Sequence, residues 1–189
     1  MKNKIRRTDS LAYATGSIIE SFQTYFEKWN DTVSKLENLG PIIIEKINET
    51  LKEKGSLNKL KNGVSKHLSS LGSLFSILDE IYADGHVLMM EIDGLDFPVK
   101  TAQEIIKHNK KEQFKTETIR TVVKNLSKTI NFFNENGGDT QLIQSSLSSF
   151  NEEFKEYKKI TNRTRKLLDK LNNELNENHN KAKKYSDRF

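Results

Sequence analysis

Apolar residues recur at three- and four-residue steps along most of the chain, and no stretch sustains the strict alternation of a strand. The first run places Ile18, Ile19, Phe22, Phe26, Trp29, Val33 and Leu36 on one helix face. Gly40-Pro41 is expected to bend or interrupt that helix, which resumes from Ile42 to Leu51. Residues 53–56, "EKGS", read as a turn. A second helical run goes through Leu57, Leu60, Val64, Leu68, Leu71, Phe75, Leu78, Tyr82 and Leu88. Within it "VLMMEI" has strand-like composition, but its helical flanks assign it to the helix.

After Pro98 the pattern weakens. Ile105 and Ile106 open a stripe, residues 107–113 ("KHNKKEQ") contain no apolar side chain, and the stripe returns at Phe114, Ile119, Val122, Val123, Leu126, Ile130 and Phe133. The paired glycines in "NENGGD", 134–139, are the strongest turn signal, with Asp139 or Thr140 placed to cap the next helix. The last run has the cleanest period. Ile143, Leu147, Phe150, Phe154, Tyr157, Thr161, Thr164, Leu168, Leu171 and Leu175 alternate steps of four and three, a heptad seam interrupted only by two threonines.

The expected fold is therefore all-α, and the segment Asp93–Pro98 decides between two forms of it. If the chain turns there, the helices run roughly 10–54, 56–92, 98–134 and 139–185, an up-down-up-down four-helix bundle about 60 Å long. If it only kinks, one helix of residues 56–134 spans about 115 Å within an elongated antiparallel bundle of long helices. A proline inside a helix costs about 3 kcal/mol or more, and Gly94 eases a break, so local chemistry favours the turn. Residues 1–9, with Lys2, Lys4, Arg6 and Arg7, read as a basic flexible arm, and Thr8, Asp9 or Ser10 is placed to cap the first helix. Residues 10–189 are expected to form a single helical domain.

Composition supports helices that bury a stripe each: 34% of the 189 residues are hydrophobic and 30% are charged. With no cysteine, disulfides, thiol catalysis and cysteine-bound zinc are excluded. The basic start continues into Glu20 without an unbroken apolar core and is read as no signal peptide, and no stretch is apolar for long enough to span a bilayer. A cytoplasmic protein, peripheral at membranes, is the expectation. The net charge of +5 is unevenly spread: residues 1–97 sum to −2 and residues 98–189 to +7. Such a bias points to an acidic partner.

From Leu71 to Val99 the chain reads "LGSLFSILDEIYADGHVLMMEIDGLDFPV". This segment resembles the middle helix of the BAR-domain family, the crescent-shaped helical dimers that bind curved membranes. A Leu-Gly start is followed by an apolar-x-Glu-apolar step at Leu78, Glu80 and Ile81, and a second acidic step comes at Met90, Glu91 and Ile92. Asp96, Pro98 and Val99 match the family's helix kink, and Lys100, Lys107, Lys110, Lys111 and Lys115 its lysine-rich continuation. The likeness covers about forty-five residues. It implies the kinked long helix, a homodimer and binding to membranes without catalysis.

No enzyme motif is present. The histidines at 67, 86, 108 and 179 are scattered. There is no Glu-x-x-His pair, no His-Glu-x-x-His and no phosphate-cradling glycine loop. No catalytic residue, metal site or cofactor is expected. The functional signal is basic. Residues 100–128 and 155–170 each carry a net charge of +5 and flank Gly137-Gly138, so antiparallel pairing is expected to merge them into one anion-binding patch. Its members are Lys107, Lys110, Lys111, Lys115, Arg120, Lys124, Lys155, Lys158, Lys159, Arg163, Arg165 and Lys166. Anionic lipid is the leading partner. A partner protein docked on a four-helix-bundle adaptor is the alternative. Nucleic acid ranks third, because Phe114, Phe150, Phe154 and Tyr157 sit on apolar stripes and are expected in the core rather than free to stack on bases.

Overall fold

The three- and four-residue periodicity becomes four helices. The computed structural model describes residues 2–52, 57–95, 99–136 and 140–186, with side chains described from Tyr13 onward except at 57–59, 61, 134, 136, 185 and 186. Helix α1 is Lys2–Lys52, α2 Leu57–Asp93, α3 Lys100–Asn136 and α4 Thr140–Ser186. No strand occurs among these residues, and "VLMMEI" lies inside α2.

The chain turns where local chemistry favoured a turn. Helix α2 ends at Asp93, and Gly94 N–H and Leu95 N–H still reach back to the carbonyls of Met90 and Ile92. A new helix starts at Lys100, and Gln103 Nε2 donates to Asp93 Oδ2 across the gap at 3.2 Å. The single helix over 56–134 implied by the family resemblance is thus absent: two helices stand where it put one. Pro98 and Asp96 themselves lie outside the described residues, as do the expected turns at 53–56 and Gly137-Gly138.

Two other boundaries differ from expectation. Helix α1 starts at Lys2, so the segment read as a flexible arm is helical and the expected cap at Thr8–Ser10 lies within it. Lysine and arginine are good helix formers, and nothing in residues 2–10 breaks a helix. Helix α1 also continues through Gly40-Pro41.

The chain divides into two compact units, and each takes a segment of all four helices. Unit 1 comprises residues 1–30, 81–110 and 162–189; unit 2 comprises residues 31–80 and 111–161. In unit 1, α1 and α4 run antiparallel: Thr15 Oγ1 meets His179 Nδ1 at 2.9 Å, and Asn30 Oδ1 accepts from Arg165 Nε at 2.9 Å. Helix α2 lies against α1 at Gly85, where a Cβ would come within 2.5 Å of the Tyr25 ring. Glycine in a helix costs about 1 kcal/mol relative to alanine, and here the close approach of Tyr25 requires it. Trp29, Phe22, Tyr82, Met89, Ile105 and Leu168 fill this core.

In unit 2 the α1–α4 pair is again antiparallel, with Glu37 accepting from Thr161 Oγ1 at 2.6 Å. A Cβ on Gly40 would lie 2.3 Å from Phe154 Cε1, so that glycine lets the buried ring pack on the α1 backbone. Helices α3 and α4 join through Thr129 and Ser146. The core holds Leu36, Ile43, Phe75, Ile119, Phe150 and Tyr157.

The ten heptad positions of α4 are all buried within the chain, Ile143–Thr161 in unit 2 and Thr164–Leu175 in unit 1. That seam is used internally.

Candidate anion-binding surface

The direction of each basic side chain follows from helix geometry. Residues three or four apart share a face, while five residues turn a side chain well past a right angle. In unit 2 the contrast is clear on α3. Lys115 faces α4 and meets Glu153 Oε2 at 2.6 Å. Arg120, five residues on, faces α2. It donates to Asp79 Oδ2 at 2.7 Å and to the Phe75 carbonyl at 3.2 Å, and its guanidinium lies 5.7 Å from the Phe75 ring centre. It also holds Glu117 one turn back. Arg120 is therefore a clip between α2 and α3, turned away from the α3–α4 seam.

On α4 in the same unit, Lys159 donates to Glu156 Oε1 at 2.6 Å, and Lys158 lies 5.9 Å from the centre of the Phe154 ring. The hydrogen bond from Lys159 and that lysine's charge, with a smaller contribution from Lys115, hold the Glu156 carboxyl below its ordinary value. A shallow depression along this part of α4 is lined by Glu152, Glu153 and Glu156 together with Lys155, Lys158 and Lys159. The α4 surface in unit 2 is therefore of mixed charge. Lys111, Lys124 and Lys155 are exposed and make no ion pair among the described residues, and the same holds for Lys128.

In unit 1, Arg165 turns inward to α1. It bonds Asn30 and Asn162, and its guanidinium lies 5.6 Å from the centre of the buried Trp29 ring. Lys107, Lys110, Arg163 and Lys166 are exposed without an ion pair among the described residues. Of the twelve residues singled out in the sequence, five (Lys115, Arg120, Lys158, Lys159 and Arg165) have contacts within the chain, and seven point to solvent.

No family model, curated protein or solved structure matches this chain.

The basic stretch of α3 holds what hydropathy concealed. His108 and Asn109 are buried in unit 1, and Glu112 and Thr116 in unit 2, although residues 107–113 lack an apolar side chain. Conversely Phe114, expected in the core, is 74% exposed. Phe150, Phe154 and Tyr157 are buried as expected. The signal that locates these residues is spacing. Stepping from Ile105 by threes and fours reaches 108, 109, 112, 116 and 119, and skips 114.

Among the described residues no three histidine or acidic side chains gather in a way that would hold a metal ion. Among the described residues no helix is long and apolar enough to cross a membrane.

Proposed function

We propose that this protein is a non-catalytic helical module that adsorbs to anionic lipid surfaces through outward lysines and arginines of α3 and α4. The observation carrying this reading is the division of labour among the cations. Lys115, Arg120 and Arg165, at helix contacts, are matched by carboxylates, amides or rings, and exposed Lys159 and Lys170 are paired with glutamates. Lys107, Lys110, Arg163 and Lys166 in unit 1 and Lys111, Lys124, Lys128 and Lys155 in unit 2 face water and have no ion pair among the described residues. Each lysine or arginine brought near an anionic leaflet contributes about 1 kcal/mol. Three or four acting together are enough for reversible binding. No second copy is needed for this.

The test is co-sedimentation with phosphatidylcholine vesicles, with and without phosphatidylserine. The protein is expected to pellet only with the anionic vesicles. Equal recovery with both, or none with either, would refute the reading.

A second reading, an adaptor for a partner protein's helix, draws on one feature of unit 1. A groove of about 400 Å³ lies between α1 and α2, lined by Tyr25, Ile81, Val87 and Leu88, with Lys28, Asp84 and Glu91 at its polar rim. Val87 in its lining and Met90 beside it are more than half exposed. A partner held there would be lost on Val87→Asp and Met90→Asp with vesicle binding intact.

A further inference from the structure

We infer that the α1–α2 groove of unit 1 receives a basic amphipathic helix of another protein. The inference rests on the adaptor reading above and adds to it the chemistry of the partner. The groove is lined from Ser21 to Lys28 on α1 and from Ile81 to Glu91 on α2. That stretch of α2 extends about 15 Å, the length of nearly three turns of an incoming helix. Its floor is apolar, with Tyr25, Ile81 and Leu88 all buried. Val87 on its wall is 59% exposed, and Met90 beside it is 53% exposed. The opposite face of α2 buries Tyr82 and Met89 in the core of unit 1. An apolar stripe laid between two packed helices is the contact that a third amphipathic helix makes. A small molecule fits the groove less well, because walls as exposed as Val87 and Asp84 would leave much of it in water.

Charge selects the partner. Over residues 13–30 of α1 and 81–93 of α2, Glu20, Glu27, Asp84, Glu91 and Asp93 are exposed against a single exposed lysine, Lys28. Lys28 reaches Asp84 at 3.9 Å, and Glu91 has no ion pair among the described residues. Lys2, Lys4, Arg6 and Arg7 lie fourteen or more residues before Ser21, about 20 Å or more along α1. Across unit 1 the sign reverses. Helix α1 meets α2 and α4, and α3 meets α2 and α4, so α3 and α4 form the other side of this bundle. That side carries Lys107, Lys110, Arg163 and Lys166 outward. The acidic groove repels anionic lipid and attracts a helix whose polar face is basic. A second copy also offers a basic side. Among the described residues of unit 1, however, α3 and α4 expose no large apolar side chain to fill the groove.

The probe is a fluorescein-labelled peptide of about eighteen residues, five helical turns, with leucine on one face and lysine on the other. Its twin carries glutamate in place of lysine, and binding is followed by fluorescence anisotropy. The wild-type chain is expected to bind the lysine peptide. Val87→Asp should weaken that binding on the order of tenfold or more. It does so although it adds an attractive negative charge, because it sets a carboxylate on the apolar wall. Asp84→Lys/Glu91→Lys keeps the apolar lining and should weaken binding on the order of tenfold, with the larger loss at low salt. All three positions are exposed, so both variants should keep the wild-type helical circular dichroism and thermal midpoint. Absence of binding to either peptide, or lysine-peptide binding that Val87→Asp leaves unchanged, overturns the groove as a docking site and the adaptor reading with it. Binding of the glutamate twin that Val87→Asp abolishes, or lysine-peptide binding indifferent to the charge reversal, leaves the adaptor reading standing and overturns the basic partner. Self-association in sedimentation that Val87→Asp dissolves assigns the groove to a second copy and also overturns the inference.

Discussion

Replacing Trp29 with alanine is expected to destabilise unit 1 by about 3–5 kcal/mol. The indole is the largest fully buried side chain of the protein, with no exposed surface. Its removal deletes apolar area and leaves a cavity that rigid neighbouring helices fill only in part. It also removes the ring beneath Arg165, whose guanidinium is otherwise positioned by Asn30 and Asn162. The arginine then loses a stacking partner in a half-buried setting, a further loss of about 1 kcal/mol. At this chain length the effect corresponds to a thermal midpoint lower by about 10 °C or more. Urea unfolding followed by circular dichroism measures it. A loss under about 1 kcal/mol would mean that Trp29 is not a principal element of the core.

Reversing Lys111, Lys124 and Lys128 to glutamate is expected to weaken binding to phosphatidylserine-containing vesicles by about a hundredfold. Each reversal removes one attraction worth about 1 kcal/mol and adds one repulsion of similar size. A convex helix holds some of these groups off a flat surface, so about half of that total, ~3 kcal/mol, is expected to act. The three lysines are exposed and make no ion pair among the described residues, so stability should change little. Reversing Lys115 and Arg120 is a useful contrast. These residues tie α3 to Glu153 and to Asp79, so their loss should lower stability more than it lowers affinity. If the triple- and double-site variants bind equally, the division between structural and outward cations is wrong.

How much of the fold and of the basic surface was legible in the sequence depends on whether apolar character and burial coincide. On α4 they do, and ten heptad positions read from spacing are ten buried positions. The break at Asp93 was legible too, since α2 ends beside Gly94, although the same glycine-proline signal at Gly40-Pro41 leaves α1 unbroken. Helix α3 separates the two properties. Its core face turns polar at His108, Asn109, Glu112 and Thr116, and its outer face carries Phe114. A reading by hydropathy places Phe114 inside and the polar run outside, whereas a strict step of three and four from Ile105 to Ile119 corrects both. The basic patch was drawn from charge alone, without the direction of each side chain. Counting charges along α3 treated Lys115 and Arg120 as neighbours, although five residues carry the second side chain round to α2. The two-unit organisation left no linker, glycine tract or change of composition to mark it, because each unit is assembled from segments of all four helices.

The claim that outward cations bind an anionic lipid surface is tested most directly by titrating salt against wild-type binding to phosphatidylcholine–phosphatidylserine vesicles. Charge-driven adsorption predicts a steep fall in affinity between low and physiological ionic strength. Affinity that stays level across that range would contradict the account.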